Sequence, residues 1–289
     1  MTFRPDVELD PGQVSDQRGR RVRGGGIAIG GGLGGLILIA AIVLLSGGNL
    51  GDILGGGLGA APEGPVSSDL ASECQTGEDA NERQDCRIVG TVNSLQAYWT
   101  DAFADAGQEY ARATTVLFTS GVNTACGGAS SAVGPFYCPL DQTVYIDLGF
   151  FDELETRFGA EGGPFAEEYV LAHEYGHHVQ NLLGLLDAGR DAGAEGGAVR
   201  TELQADCFAG VWGANAVDTG YLQPITRDQV NQALDAASVI GDDRIQEQTQ
   251  GQVNPETWTH GSSEQRQEWF STGLEQGSAD ACDTFEADL

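Results

Sequence analysis

The chain has 289 residues and a net charge of −29, with 43 acidic side chains against 14 basic ones, every one of them arginine. So acidic a surface repels nucleic acid and anionic lipid head groups, which excludes a nucleic-acid partner and otherwise reads as a solvated acidic face. The length suits one sizeable domain with accessory segments.

The first 23 residues are polar and carry Arg18, Arg20, Arg21 and Arg23. Residues 27–45 (IAIGGGLGGLILIAAIVLL) hold no charge. As a helix this run is about 28 Å long, close to a hydrocarbon core of about 30 Å. No basic residue follows until Arg83, so the positive-inside rule predicts a cytoplasmic basic N-terminus (1–23), a transmembrane signal anchor (24–46) and an exported remainder. The run exceeds the usual core of a signal peptide and no small-x-small site directly follows it, so the anchor is expected to be retained. Gly30 with Gly34, and Gly31 with Gly35, form GxxxG spacings that offer a homo-oligomer a helix-pairing face. A Gly-rich tether with Pro62 and Pro65 is expected over 47–72, then a domain over 73–289. The expected location is the cell membrane, single-pass, with the domain extracytoplasmic.

Six cysteines, Cys74, Cys86, Cys126, Cys138, Cys207 and Cys282, all follow the apolar run. An even number in an exported domain predicts disulfides. Short separations suggest Cys74–Cys86 and Cys126–Cys138, which leaves Cys207–Cys282. None has CxxC spacing, so a cysteine zinc site is not expected.

Along the domain, Val89, Val92, Leu95, Trp99 and Phe103 recur at helical steps within 85–105. The β-branched run 113–120 predicts a strand, followed by a Gly/Ser-rich loop. Strands are also expected over 135–138 and 143–148, the second alternating as a half-exposed strand does. A helix is predicted over 164–183, with Pro164 at its first position and Gly184 as its stop. Another covers 199–216. Capping boxes at Thr226/Gln229 and Ser262/Gln265 open two more. Strands before helices make an α+β fold.

The central motif is His173-Glu174-Tyr175-Gly176-His177, which uses two of only four histidines in the chain. On a helix, positions four apart share a face, so both imidazoles reach one zinc ion, while Glu174 sits beside the attacking water as its base. Gly176 is a poor helix former, and a close approach of another backbone or of substrate explains it. A catalytic zinc needs a third protein ligand. Gln180 and Leu183 stand where an extended HExxHxxGxxH motif requires Gly and His, which excludes that branch; His178 points elsewhere on the helix. Glu202 and Asp206 share a face of the segment TELQADCFAGVW, whose apolar neighbours predict burial. One of the two can bind zinc and the other can accept a hydrogen bond from a ligand imidazole.

With HEYGHHVQ, ELQADCFAGVW, HGSSEQR and FYCPLDQTVYIDLGFF, the chain resembles the bacterial "putative neutral zinc metallopeptidase" family, a zincin-type group, from about Cys74 to Cys282. The resemblance implies a zincin-like domain, a small sheet with an active-site helix and C-terminal helices. It implies Zn2+ on His173, His177 and Glu202, with Asp206 beneath His173. The separation of His177 from Glu202, 25 residues, is longer than in the best-known Glu-type zincins, and the insert 188–198 absorbs the difference. His260 is the candidate stabiliser of the oxyanion, with Arg266 as the alternative. One of the strands at 136–138 or 143–148 is expected to pair with a peptide or protein substrate. The function expected is a membrane-anchored zinc peptidase using a Glu-activated water. A non-catalytic zinc-binding domain and a zinc hydrolase of a non-peptide substrate are the alternatives. A serine or cysteine nucleophile is disfavoured, because there is no GxSxG and the cysteines read as structural.

Overall fold

The computed structural model describes residues 2–19, 70–186 and 189–289. The expected anchor and nearly all of the expected tether lie outside the described residues. Among the described residues, no helix is long and apolar enough to cross a membrane.

A short 3-10 turn at Pro11–Gln13 leads into the first strand, β1 (Val14–Asp16). After the helices α1 (Leu70–Glu73) and α2 (Gly77–Glu82) comes the long α3 (Gln84–Asp105). Strands β2 (Thr114–Phe118), β3 (Gly121–Thr124), β4 (Gly127–Ser130), β5 (Phe136–Cys138) and β6 (Thr143–Asp147) follow. Then come α4 (Gly149–Thr156), α5 (Pro164–Leu183), α6 (Gly197–Asn215), α7 (Arg227–Val239), α8 (Asp242–Gln250) and α9 (Ser263–Gln276). The architecture is mixed α+β with a small sheet, as expected. Both capping boxes form as read, at Thr226 and Ser262.

The sheet order is β1-β2-β6-β5, with β5 antiparallel to β6 and the other pairs parallel. The strand at 143–147 is therefore central, not half-exposed. Val144 and Ile146 enter the main core, and Tyr145 enters a second cluster with Val116, Phe118 and Val122. That second cluster is covered by the β3–β4 hairpin, which replaces the expected Gly/Ser loop. The three disulfides pair as expected, Cys74–Cys86, Cys126–Cys138 and Cys207–Cys282.

The N-terminus is the main correction. Residues 2–18 do not stand apart as a separate basic segment; they pack on the domain as a strap. Val14, Ser15 and Asp16 pair with Thr115, Val116 and Leu117. Upstream, the Arg4 amide donates to the Tyr221 carbonyl and the Gln223 amide donates to the Thr2 carbonyl, at 2.9 and 2.8 Å. Asn81 accepts from the Thr2 and Phe3 amides, and Asn93 both accepts from and donates to the Asp10 backbone. Phe3 is fully buried over Gly90, where a Cβ would lie 2.6 Å from its ring. Arg18 bonds Asp16 and reaches Asp85 on α3 at 3.1 Å. Periodicity could not find this strap, because its bonds run to side chains and loops distant in sequence.

Candidate metal centre

Helix α5 begins at Pro164 and stops at Gly184, whose φ of 73° is the left-handed conformation that glycine adopts freely. It passes α6 closely at Gly176, where an added Cβ would lie 2.9 Å from both Cα and O of Ala205. The missing side chain thus lets two backbones meet, and it brings Glu202, one turn before Ala205, to the HExxH face.

A ring nitrogen of His173, one of His177 and a carboxylate oxygen of Glu202 all lie within 4.8 Å of one another. Glu202 Oε2 is 3.2 Å from His173 Nε2, and its Oε1 is 3.6 Å from His177 Nε2. The imidazoles stand nearly perpendicular, with centroids 4.8 Å apart. Another cluster among the described residues, Cys74, Asp85 and Cys86, has its thiols joined as a disulfide and is no rival.

The opposite ring nitrogens are occupied. His173 Nδ1 donates to Asp206 at 2.8 Å. Asp206 also accepts from Tyr169 Oη at 2.5 Å and from Arg266 Nε and Nη2 at 2.8 and 3.0 Å. Burial pushes the Asp206 carboxyl up, but Arg266 and His173 outweigh it and hold it at about 2. His177 Nδ1 donates to Gln180 Oε1 at 2.8 Å. Gln180 Nε2 donates to the Thr201 carbonyl and to Gln204 Oε1, and Gln204 donates to the Cys282 carbonyl, so the acceptor end of Gln180 must face His177. With Nδ1 of each imidazole engaged from behind, Nε2 is the nitrogen that faces the shared space and the one that gives up its proton when a metal binds. Two neutral imidazoles and a carboxylate are a donor set that zinc accepts.

Glu174 is buried beside this set. Burial raises its carboxyl pKa, while His177 and His173 pull it back. His260 is also buried; its Nδ1 bonds Asp242 at 3.1 Å, and its charge is coupled to Glu202. Asp242 accepts from the Thr259 and His260 amides as well, which fixes the loop that carries the imidazole. His178 is set apart from the cluster, bonding Tyr137 Oη and the Ala111 carbonyl at 2.9 and 2.7 Å. Arg266 is corrected as an alternative oxyanion group, because its guanidinium is committed to Asp206 and 1% exposed. Of the two candidate substrate strands, 143–147 is paired on both sides, whereas β5 lies at the sheet edge and is tied to α5 through Tyr137.

Sequence reasoning missed Tyr169, Gln180, Gln204 and Asp242. Tyr169 lies one turn before His173, a spacing that could have revealed it. Gln180, three residues after His177 on the same helix, was open to the same reading, whereas Gln204 and Asp242 carried no local signal.

Two imidazoles and a carboxylate, each histidine oriented by an acceptor behind it, form a group on paired helices with the spacing to hold a metal ion. The chain belongs to the family described as "Putative neutral zinc metallopeptidase", whose model matches residues 4–285, the N-terminal strap included. It is 55% identical over 225 residues to an "Uncharacterized protein" of Mycobacterium tuberculosis (strain H37Rv), covering 75% of each chain. It is 41% identical over 283 residues to the "Uncharacterized protein YpfJ" of Escherichia coli K12, covering 94% of this chain and 95% of that one. No solved structure matches it.

Proposed function

We propose that the chain is a zinc-dependent peptidase in which His173, His177 and Glu202 hold the metal and Glu174 is the general base. The observation that carries this reading is the convergence of three ligand atoms within 4.8 Å, with both histidines oriented from behind. Zinc held there supplies Lewis acidity toward water and toward the scissile carbonyl. Glu174 takes the proton of the attacking water and passes it to the leaving amine, a task suited to a carboxyl raised by burial. His260, with Nδ1 held by Asp242, has Nε2 left to donate to the developing oxyanion. The edge strand β5 offers backbone pairing to an extended peptide, which favours peptide over other substrates.

The zincin-type layout is part of this reading, supported by the HExxH helix with an edge strand beside it. Three disulfides favour an oxidising compartment outside the cytoplasm. The apolar run 27–45 favours attachment to a membrane, and the docked strap argues for attachment from the face on which the domain lies.

Zinc analysis combined with peptide-library cleavage tests the assignment. Glu174→Gln should keep its zinc and lose roughly 10²–10⁴-fold in turnover, the usual share of a general base. Unchanged turnover in that variant rules out Glu174 as the base.

A further inference from the structure

Gln204 lies on α6 between Glu202 and Asp206, buried and outside the ligand set. It belongs to a chain of amides that runs from His177 to the Cys207–Cys282 disulfide. His177 Nδ1 meets Gln180 Oε1 at 2.8 Å, Gln180 Nε2 donates to Gln204 Oε1 at 3.1 Å, and Gln204 Nε2 donates to the Cys282 carbonyl at 2.8 Å. A side-chain amide accepts at one end and donates at the other, so turning it over reverses its polarity, whereas a backbone carbonyl only accepts. The Cys282 carbonyl therefore fixes which way Gln204 faces. Gln204, with the Thr201 carbonyl at 2.7 Å, then fixes which way Gln180 faces. A reversed Gln180 would point its NH2 at Nδ1 of His177. The imidazole would then have to keep its proton on Nε2, the nitrogen that faces Glu202.

The disulfide places the Cys282 carbonyl. Cys207 follows Gln204 by three residues on one side of α6, and both cysteines are buried. The bridge thus fastens the segment after α9 beside Gln204. Beyond it, Thr284 Oγ1 donates to the Arg200 carbonyl at 2.7 Å and Arg200 Nη1 donates to the Ala287 carbonyl at 2.9 Å, so separate contacts dock the rest of that segment. We propose that Gln204 is a positioning residue for the metal centre and that the Cys207–Cys282 bridge sets it, so that tight zinc binding follows oxidation of this cysteine pair. The oxidation is thiol–disulfide exchange with a disulfide donor. The two thiols give two electrons and two protons to the donor, which leaves as a dithiol, and the S–S bond forms. This role presupposes His177 as a zinc ligand.

Zinc affinity of the full-length chain, read by chelator competition, tests the relay. Gln204→Leu should weaken zinc roughly 10–100-fold, the usual effect of losing an outer partner of a metal ligand. Unchanged affinity overturns the proposal. A carboxylate has no donor end, so Gln180→Glu offers His177 an oxygen whichever way it turns. In that background Gln204→Leu should cost little affinity; an equal loss in both backgrounds marks Gln204 as merely structural and overturns the relay. Cys207→Ala with Cys282→Ala, which leaves no thiol to bind zinc there, should weaken zinc as Gln204→Leu does, and adding Gln204→Leu should cost little more. Full affinity without the bridge overturns the link to oxidation. Should the cysteine variant fail to fold, refolding of the reduced, unmutated chain decides. Zinc should be held against the chelator only after non-reducing peptide maps show Cys207–Cys282, and zinc held before the bridge forms overturns the order. An unaltered, oxidised chain that binds no zinc removes the ligand assignment itself, an outcome distinct from tight binding that ignores Gln204.

Discussion

Asp206 receives Tyr169, His173 and two nitrogens of Arg266 at a place with no solvent exposure. An asparagine there keeps the shape but removes the charge that fixes the His173 tautomer. Chelator competition on Asp206→Asn should read a loss of roughly 10–100-fold in zinc affinity. Thermal unfolding should read a loss of about 3–5 kcal/mol, since Arg266 is left buried without its anion. Unaltered affinity and stability contradict the role given to Asp206. Protons compete with zinc for the same nitrogens. Burial lowers the His173 pKa, but Asp206 and Glu202 outweigh it and raise it to about 10. Relative to an unfolded value of about 6.5, that proton stabilises the fold without zinc fully below pH ~6.5, and this contribution fades as pH rises toward 10. Zinc affinity runs the other way and should climb through the same window, because the proton to be displaced is progressively lost.

Helices α5 and α6 meet where Gly176 faces Ala205. Gly176→Ala improves intrinsic helix propensity by about 1 kcal/mol. The added Cβ nevertheless pushes against the α6 backbone, and overpacking of this kind costs about 1–3 kcal/mol. Since Glu202 rides on α6, the variant should bind zinc more weakly as well as unfold earlier. A stabilised variant with unchanged zinc affinity contradicts the close contact. The same pair of helices marks what the sequence discloses. The spacing of His173 and His177 and the shared face of Glu202 and Asp206 are local, as are Pro164, Gly184 and the two capping boxes, so periodicity reveals them. Which carboxylate faces the imidazoles depends on where α6 passes α5, a tertiary fact that the family resemblance supplied and spacing left open. Asp242 and the Gln180–Gln204 relay were hidden for the same reason. The 143–147 strand read as half-exposed because alternation cannot reveal a second apolar cluster built by a hairpin elsewhere.

At the level of the whole molecule, the N-terminal strap and the domain form one folded unit, joined by β1–β2 pairing, buried Phe3 and the Arg18–Asp85 contact. A chain that crossed a membrane once between them would separate them. Single cysteines placed at Asp6 and at Leu140, both exposed, should therefore react with an impermeant maleimide from the same side of the membrane. Labelling from opposite sides contradicts the docked strap. The strap, the disulfides and the packed helices together hold three candidate ligand side chains within reach of one another, and zinc binding tests the proposed centre directly. Titration of the purified full-length chain with zinc against a competing chelator should give one tight site per chain, with Glu202→Ala sharply weaker and otherwise folded. One tight site of equal affinity in both proteins would remove Glu202 from the ligand set and leave the account without its centre.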